Sequence, residues 1–469
     1  MSPSTTSRQH AIVIGGSLAG LFAARVLSDH FARVTIVERD RLDDSSEARK
    51  GVPQGRHFHV LLKRGESIVR DLFPTSADAL LSGGATVVDI GNDMRIFQFG
   101  SYKVRCATDA RLLFLTRPFL EREIRRRVLG RPNVAVLDRR EISGLLTHDD
   151  RTRVTGVVVR EAGAGSGERE ATLLAGDLVV DTSGRGSQSP AWLKALGYAP
   201  PPEESVTVNV GYTSRLYRRA TGDLPGMKAA YVLPRPPRER RFGALFPMED
   251  DRWIATLGGW SGDHAPADDL GFVRFAQSLP APEIGAVLPR LEPASDFAFH
   301  QFPANRWRHY EKQSKLPQGF LVLGDALCSF NPVYGEGITV AALEAVALRE
   351  SLERTAPDRV GELGRTYFLR AGKIVAPAWM LTITEDFRHE GVTGRKRKGA
   401  SLLEWYIGRV YAATARDPVV YRAFLRVVLL LDPPTRLLEP ALALRIMLGG
   451  RPEPTPAGDA GLVAPEGLE

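Results

Sequence analysis

The first forty residues switch between two hydrophobic rhythms. His10–Ile14 is a short apolar run that ends in glycine, and Leu18–Leu27 places alanine and leucine at helix spacing. Residues 33–38 (RVTIVE) are a β-branched run. A strand, a glycine turn, a helix and a second strand within ~30 residues predict a βαβ unit with a buried parallel pair. Farther along, residues 116–129 (TRPFLEREIRRRVL) predict an amphipathic helix with Pro118 in its first turn. Residues 134–137 and 154–160 predict strands, 163–167 a turn, and 178–181 another apolar strand ending at Asp181. From 205 to 260 the runs lengthen and alternate (SVTVNVGYTSRLY, AAYVLP, RFGALFPM, RWIATLGGW), which predicts an antiparallel sheet. The parallel style returns with GFLVLGDA near 320, followed by a long helical pattern over 338–352. Residues 360–448 keep helical periodicity, with interruptions expected at Pro377, Pro418 and the Pro433, Pro434 pair. No internal repeat is present.

This order predicts an α/β fold in which a Rossmann-like, nucleotide-type domain carries an inserted sheet. The nucleotide-type domain is expected over 10–82, 110–195 and 315–355. The mostly antiparallel β-sheet domain is expected over 83–109 and 196–314, and a C-terminal helical region over 356–450. Residues 1–9 and the Pro/Gly-rich stretch 451–469 read as flexible tails. The apolar tail helices, 419–431 and 437–448, are expected to pack on the body rather than on a membrane.

Composition changes this picture little. The chain has 469 residues, 43% hydrophobic and 25% charged, with a net charge of +7. That balance is ordinary for a globular protein and excludes wholesale disorder. The charge excess is small for the length and rests mostly on arginine. No basic helix or aromatic-basic motif accompanies it, so no nucleic-acid partner is expected. Basic clusters at 125–127, 235–241 and 395–398 read as solvated faces and loops, with a polyanionic or carrier-protein partner as the sharper alternative. Cys106 and Cys328 cannot build a disulfide framework, and no Cys/His pair has zinc spacing. A reducing, cytoplasmic setting without secretory signal, metal or transmembrane helix is therefore the expectation.

Chemistry enters at the first turn. Gly15-Gly16-Ser17-Leu18-Ala19-Gly20 stands where a dinucleotide fingerprint belongs. Gly15 permits the tight turn, and Gly20 lets the helix approach the sheet. Backbone N–H groups at the helix start then face a pyrophosphate, favoured by the helix dipole. Ser17 replaces the middle glycine; it is small, and its hydroxyl can donate to phosphate. Glu38, 23 residues after Gly15 and followed by Arg39, is placed to accept from a ribose 2′-OH. This turn does not separate FAD from NAD.

A second motif follows the strand FLVL: Gly324-Asp325-Ala326, then FNPVYGEGIT. Asp325 at a strand end can accept from sugar-chain hydroxyls, and Pro332 makes a rigid wall. Gly335 and Gly337 open a helix whose free N–H groups, at Ile338 and Thr339, can donate to an oxygen that bears negative charge. Such a helix end suits the N1–C2=O edge of a reduced flavin.

With these motifs the sequence resembles the FAD-dependent monooxygenases of the p-hydroxybenzoate hydroxylase fold, over about residues 10–355. The landmarks are GGSLAG with Glu38, the segment Arg49-Lys50-Gly51-Val52-Pro53-Gln54, and GDALCSFNPVYGEG. Within that family it looks most like the polyene epoxidases of actinobacterial polyketide pathways, in the strings RKGVPQGRHFH, LVVDTSGRGSQSP, PMEDDRWI and LGDALCSFNPVYGEG. The resemblance implies that Arg49, Gly51 and Val52 contact FAD beside its isoalloxazine. It implies that Arg117 reaches the ribityl–pyrophosphate stretch, that Asp325 binds the ribityl chain, and that Pro332 stands near the reactive C4a. The family's middle Asp-Gly pair reads Asp181-Thr182-Ser183-Gly184-Arg185-Gly186-Ser187 here, which leaves the mode of reductant binding open. The usual His of GDAxH is Cys328, read as a small packing residue.

The resemblance further implies bound FAD, with NADPH or NADH as co-substrate. A flavin C4a-hydroperoxide would epoxidise or hydroxylate an apolar, polyketide-derived small molecule. An alkene needs no protein base, whereas a phenol does. His57, His59 and His300 are candidates on position alone, and no catalytic side chain is assigned. Tyr212, Tyr231, Phe246 and Trp260 are the expected substrate contacts, with ordinary strand core as the alternative. The lysine and the Trp-x-Trp-x-Ile-Pro string of a halogenase do not appear where that reading needs them. The competing hypothesis is an FAD-containing cyclase that folds a linear polyene for a redox-neutral Diels–Alder reaction, by positioning alone. A flavin-binding protein without turnover is the third.

Overall fold

The computed structural model describes residues 8–163, 171–396 and 399–449. Residues 1–7 and 451–469 of the expected tails, most of the 163–167 turn, and Arg397 and Lys398 of the basic string lie outside the described residues.

A five-stranded parallel sheet runs in the order Phe320–Val322, Leu178–Asp181, His10–Ile14, Arg33–Val37, Val134–Leu137. His10–Ile14 lies near its centre and is buried along its whole length. An unbroken apolar run is what a strand covered on both faces requires. The Leu18–Leu27 helix packs on the first two strands and against two later helices, Arg117–Leu129 and Gly337–Arg354. Arg117–Leu129 begins where Thr116 caps it, its side chain accepting from the Phe119 N–H, with proline in the first turn.

The second layer is a nine-stranded sheet. Its main path is Cys328–Ser329, Ala298–Arg308, Glu203–Arg218, Arg252–Gly259, Arg241–Met248, Ala229–Val232, Met94–Gln98 and Ser101–Tyr102. Neighbours are antiparallel except Ala229–Val232 with Met94–Gln98. The edge strand Cys328–Ser329 starts two residues after the Gly324–Ala326 turn, so the second glycine motif lies at the junction of the two sheets.

The C-terminal helices close the other side. Pro418–Val428 buries Tyr421 and Leu425 in the same apolar cluster as Phe114 and Phe246. One expectation fails here. The Leu363–Asp386 helix runs 24 residues straight through Pro377. Proline there cannot donate to the carbonyl of Lys373, but both residues are exposed, so water can take that carbonyl. Buried Val375, Ala378 and Trp379 hold the flanking turns in place. Pro418 and Pro434 instead sit in the first turns of short helices, where a missing N–H costs nothing. No helix among the described residues is long and apolar enough to cross a membrane.

Two buried carboxyls hold these layers together. Asp386, fully buried at the end of the long helix, accepts from four side chains. Trp260 Nε1 donates at 3.0 Å, Asn305 Nδ2 at 2.6 Å, Asn331 Nδ2 at 2.8 Å and the Tyr334 hydroxyl at 3.0 Å. The donors come from the large sheet and from the loop that carries Pro332. Glu344, fully buried on Gly337–Arg354, accepts the Gly324 N–H at 2.6 Å and so supports the second glycine turn. Burial pushes the Glu344 carboxyl up to about 8, against the pull of that N–H.

Asp386→Ala should strand four buried donors and cost about 3 kcal/mol or more in urea unfolding; a loss under 1 kcal/mol, by the same scale, would show that the donors find other partners. Glu344 gives a pH signature. Its folded value lies above the ~4.3 of an unfolded glutamate, so the folded chain keeps a proton the unfolded chain has lost, and stability falls as pH rises through that window. Glu344→Gln should flatten this decline between about pH 5 and pH 8 by up to ~1.4 kcal/mol per pH unit. Unfolding curves taken across that range test it, and an unchanged slope contradicts it.

Candidate active site

The first glycine turn is built as tightly as its spacing suggests. Gly15 adopts φ +100°, and a Cβ at Gly20 would lie 1.9 Å from the Gly15 carbonyl oxygen. Only glycine lets the helix start this close to the strand. Ser17 is the N-cap residue, but its hydroxyl does not cap the helix. It donates to Glu121 Oε2 at 2.8 Å and accepts from Arg117 Nη2 at 2.9 Å. Glu38 is 6% exposed, and both its oxygens accept backbone N–H groups, from Gly16 at 2.7 Å and Asp40 at 2.9 Å. It therefore braces the turn; a carboxylate retains further lone pairs for a hydroxyl.

Arg49 comes to this turn from the R-K-G-V segment. Its guanidinium pairs with Glu121 and lies 3.4 Å from both Glu38 and Asp40. Gly51 donates its N–H to Asp40 Oδ2 at 2.7 Å, and its carbonyl accepts from Arg39 Nη2 at 3.2 Å. Val52 caps the short Pro53–Arg56 turn. Gly16, Ser17, Glu38, Arg39, Arg49, Gly51 and Arg117 are thus linked, through Asp40 and Glu121, in one hydrogen-bonded cluster beside Gly15. Glu121, on the Arg117–Leu129 helix, is the hub that the sequence reading missed; its signal was an i, i+4 spacing from Arg117.

The second motif meets the first. A Cβ on Gly324 would lie 2.8 Å from that of Ala19, so the two glycine turns touch. Asp325 accepts no hydrogen bond among the described residues. Burial pushes its carboxyl up, while Arg117 and Arg185 pull it down. A Cβ on Gly337 would find only Asp325 Oδ1, at 3.8 Å, so Asp325 and the start of the Gly337–Arg354 helix share open space. Gly335 turns the chain at φ +74°, and Pro332 opens the short turn before it. The first intrahelical donor after the turn is Val340, to Glu336, which leaves the N–H groups of Ile338 and Thr339 without a helical acceptor. An open carboxylate, a free helix start and a glycine cradle fit an extended FAD. Asp181 does not join them: it is fully buried and takes Ser183 N–H, Ser187 Oγ and Ser189 Oγ, so it stabilises its own loop.

The histidines are poor bases. His57 is 2% exposed, its Nδ1 lies 2.8 Å from Ser214 Oγ, and burial pushes it down to about 3. Burial also lowers His59 and His300. Buried Cys328 packs in the core, its thiol raised by desolvation.

Beyond the 332–334 turn lies an apolar cavity of about 250 Å³. Tyr231, Phe246 and Trp260 line it, together with Val333, Tyr334, Gly335 and Glu336 of the second motif. Tyr231 also donates its hydroxyl to the Val333 carbonyl at 2.9 Å. Tyr212 is placed elsewhere: it is not in the lining but packs edge-on against His57, with ring centroids 4.7 Å apart. The sequence reading also missed two polar residues in this wall. Glu336 accepts from the Thr382 hydroxyl, and burial pushes it up to about 8. Lys103 reaches in from the strand end at Tyr102. Neither carried a signal in the sequence beyond a glycine-flanked acid and a lone lysine.

No family model matches the chain. It is 33% identical over 434 residues to Protein Rv3254 of Mycobacterium tuberculosis (strain ATCC 25618 / H37Rv), across 91% of this chain and 90% of that one. Among solved structures, the fold is similar to flavin-dependent brominase Bmp2, with a TM-score of 0.62 and 12% identity over 90% of this chain and 94% of that one. p-Nitrophenol 4-monooxygenase PnpA from Pseudomonas putida DLL-E4 also matches at 0.62, with 14% identity over 91% and 98%. Diels-Alderase PyrE3 of the pyrroindomycin pathway matches at 0.59, with 17% identity over 90% and 81%. The chain therefore belongs to the family of Protein Rv3254 and is built on the fold of the flavin-dependent monooxygenases.

Proposed function

We propose that the chain is an FAD-dependent monooxygenase that uses NADPH or NADH and O2 to epoxidise or hydroxylate an apolar, polyketide- or polyene-type molecule. The observation that carries this reading is the shared loop. Gly337, at the end of this loop, faces the open space beside Asp325, while Val333, Tyr334, Gly335 and Glu336 just before it line the apolar cavity. One loop thus serves a cofactor groove on one side and a substrate chamber on the other.

In this reading the N–H groups at the start of Leu18–Leu27, with Ser17 and Arg117, hold the pyrophosphate. Glu38 and Arg39 take the ribose end, and Arg49, Gly51 and Val52 form the loop over the cofactor. Asp325 accepts from the ribityl hydroxyls. The N–H groups of Ile338 and Thr339 meet the anionic edge of the ring. Bound FAD supplies hydride acceptance and oxygen activation. Tyr231, Phe246 and Trp260 orient the substrate and exclude water. Glu336 holds a proton near neutral pH and can donate it to a substrate oxygen at the cavity wall. A redox-neutral cyclisation would use the same chamber, and the match to a Diels-Alderase keeps it as the second reading.

The purified protein should be yellow with FAD, and NADPH or NADH should bleach it under anaerobic conditions. Asp325→Ala should weaken FAD retention at least ~10-fold, equivalent to ~1.4 kcal/mol; retention at the original level would remove Asp325 from the site. Product formed without O2 while the flavin stays oxidised would decide for the cyclase.

A further inference from the structure

We propose that Lys103 anchors the carboxylate, or a comparable oxyanion, of an otherwise apolar substrate against the cavity wall formed by the Ala400–Ala413 helix. This deepens the reading above in one respect only, since it rests on the cavity being the substrate chamber.

The cavity surface is mostly aromatic and aliphatic, and Lys103 is the single lysine or arginine that lines it among the described residues. Its Nζ donates to Thr414 Oγ1 at 2.8 Å and to the Tyr411 carbonyl at 3.3 Å. Both acceptors lie where the Ala400–Ala413 helix ends, and a helix C-terminus favours a cation. The Tyr411 ring lies beneath, 4.9 Å from Nζ to its centroid. These contacts fix where the ammonium sits and use two of its three hydrogens. No carboxylate reaches ion-pair distance of it among the described residues. The nearest acidic influence is Glu385, which also lines the cavity. Glu385 is itself pushed up by burial, and Arg388 lies 4.0 Å from its Oε1. Lys103 is therefore a fixed amine that, when protonated, has an unspent donor and no carboxylate at ion-pair distance among the described residues.

Such a group is unfavourable in an apolar chamber. Desolvation pulls Lys103 down to about 7, with Glu385 opposing. A bound oxyanion would supply the missing charge and accept the remaining hydrogen, and charge-assisted hydrogen bonds of this kind are the strong ones. A neutral alcohol offers only the acceptor. The chamber so equipped suits an amphiphilic acid, with its chain along the aromatic wall and its acid group at Lys103.

The test is binding of decanoate and of 1-decanol to the FAD-loaded protein by titration calorimetry. The wild-type protein should bind decanoate at least ~10-fold more tightly than decanol. Lys103→Met should abolish that preference and leave decanol affinity within about twofold, which also shows that the chamber is intact. Lys103→Arg should keep most of the preference. Equal affinities in the wild type, a preference that survives Lys103→Met, or failure of both probes to bind would each overturn the proposal. Flavin reduction by NADPH and by NADH is followed in parallel. Intact discrimination without reduction sinks the monooxygenase and leaves Lys103 standing, whereas reduction without discrimination does the reverse.

Discussion

A carboxylate taken out of water must be satisfied by its neighbours, and Asp386 is satisfied by four of them. The consequence is architectural. Asn305 belongs to the large sheet and Trp260 follows directly on one of its strands, Asn331 and Tyr334 belong to the loop that carries Pro332, and Asp386 to the long helix. None of these elements can shift without breaking a buried charge-assisted hydrogen bond. The loop between cofactor groove and chamber is therefore held from behind, and Glu344 adds a second support under Gly324. Trp260 also stacks on His389 with ring centroids 4.0 Å apart, which fixes the chamber wall at the same point.

The first glycine turn is organised by charge rather than by a single buried anchor. Arg49 and Arg117 meet Glu38, Asp40 and Glu121 around Ser17. Opposite charges in partial burial keep these long side chains extended toward the turn. In the proposed reading, a pyrophosphate would meet preformed guanidinium groups and a free helix start there, and would displace carboxylate contacts rather than move the backbone.

The chamber has a different logic. Its walls come from the large sheet, the long helix and the C-terminal helices, and each contributes apolar side chains. Polar residues interrupt this surface at a few points: Glu336 stands at the loop, Glu385 on the long helix, and Lys103 at the end of the Ala400–Ala413 helix. In the proposed reading such a box selects by shape first and by head group second.

Much of this was legible before any coordinates. The βαβ start, the antiparallel runs between 205 and 260 and the helix after Gly337 follow from periodicity, because strand and helix repeats are local properties of the chain. Gly15, Gly20 and Gly335 announce themselves, because only glycine tolerates those conformations or approaches. Pro377 misled, since whether a proline ends a helix depends on what water and packing do around it. The reading also placed Tyr212 in the chamber, where strand alternation cannot tell one buried face from another. Glu336, Lys103 and Asp386 were invisible for a common reason. Their meaning lies in partners far off in sequence, 126 residues for Trp260 with Asp386 and 311 for Lys103 with Thr414. The sequence by itself determined which segments are strands, helices and glycine turns, and so the class of fold. Only the tertiary structure decided which charges face each other and which face the cavity, because burial and distance exist only once the chain has closed on itself.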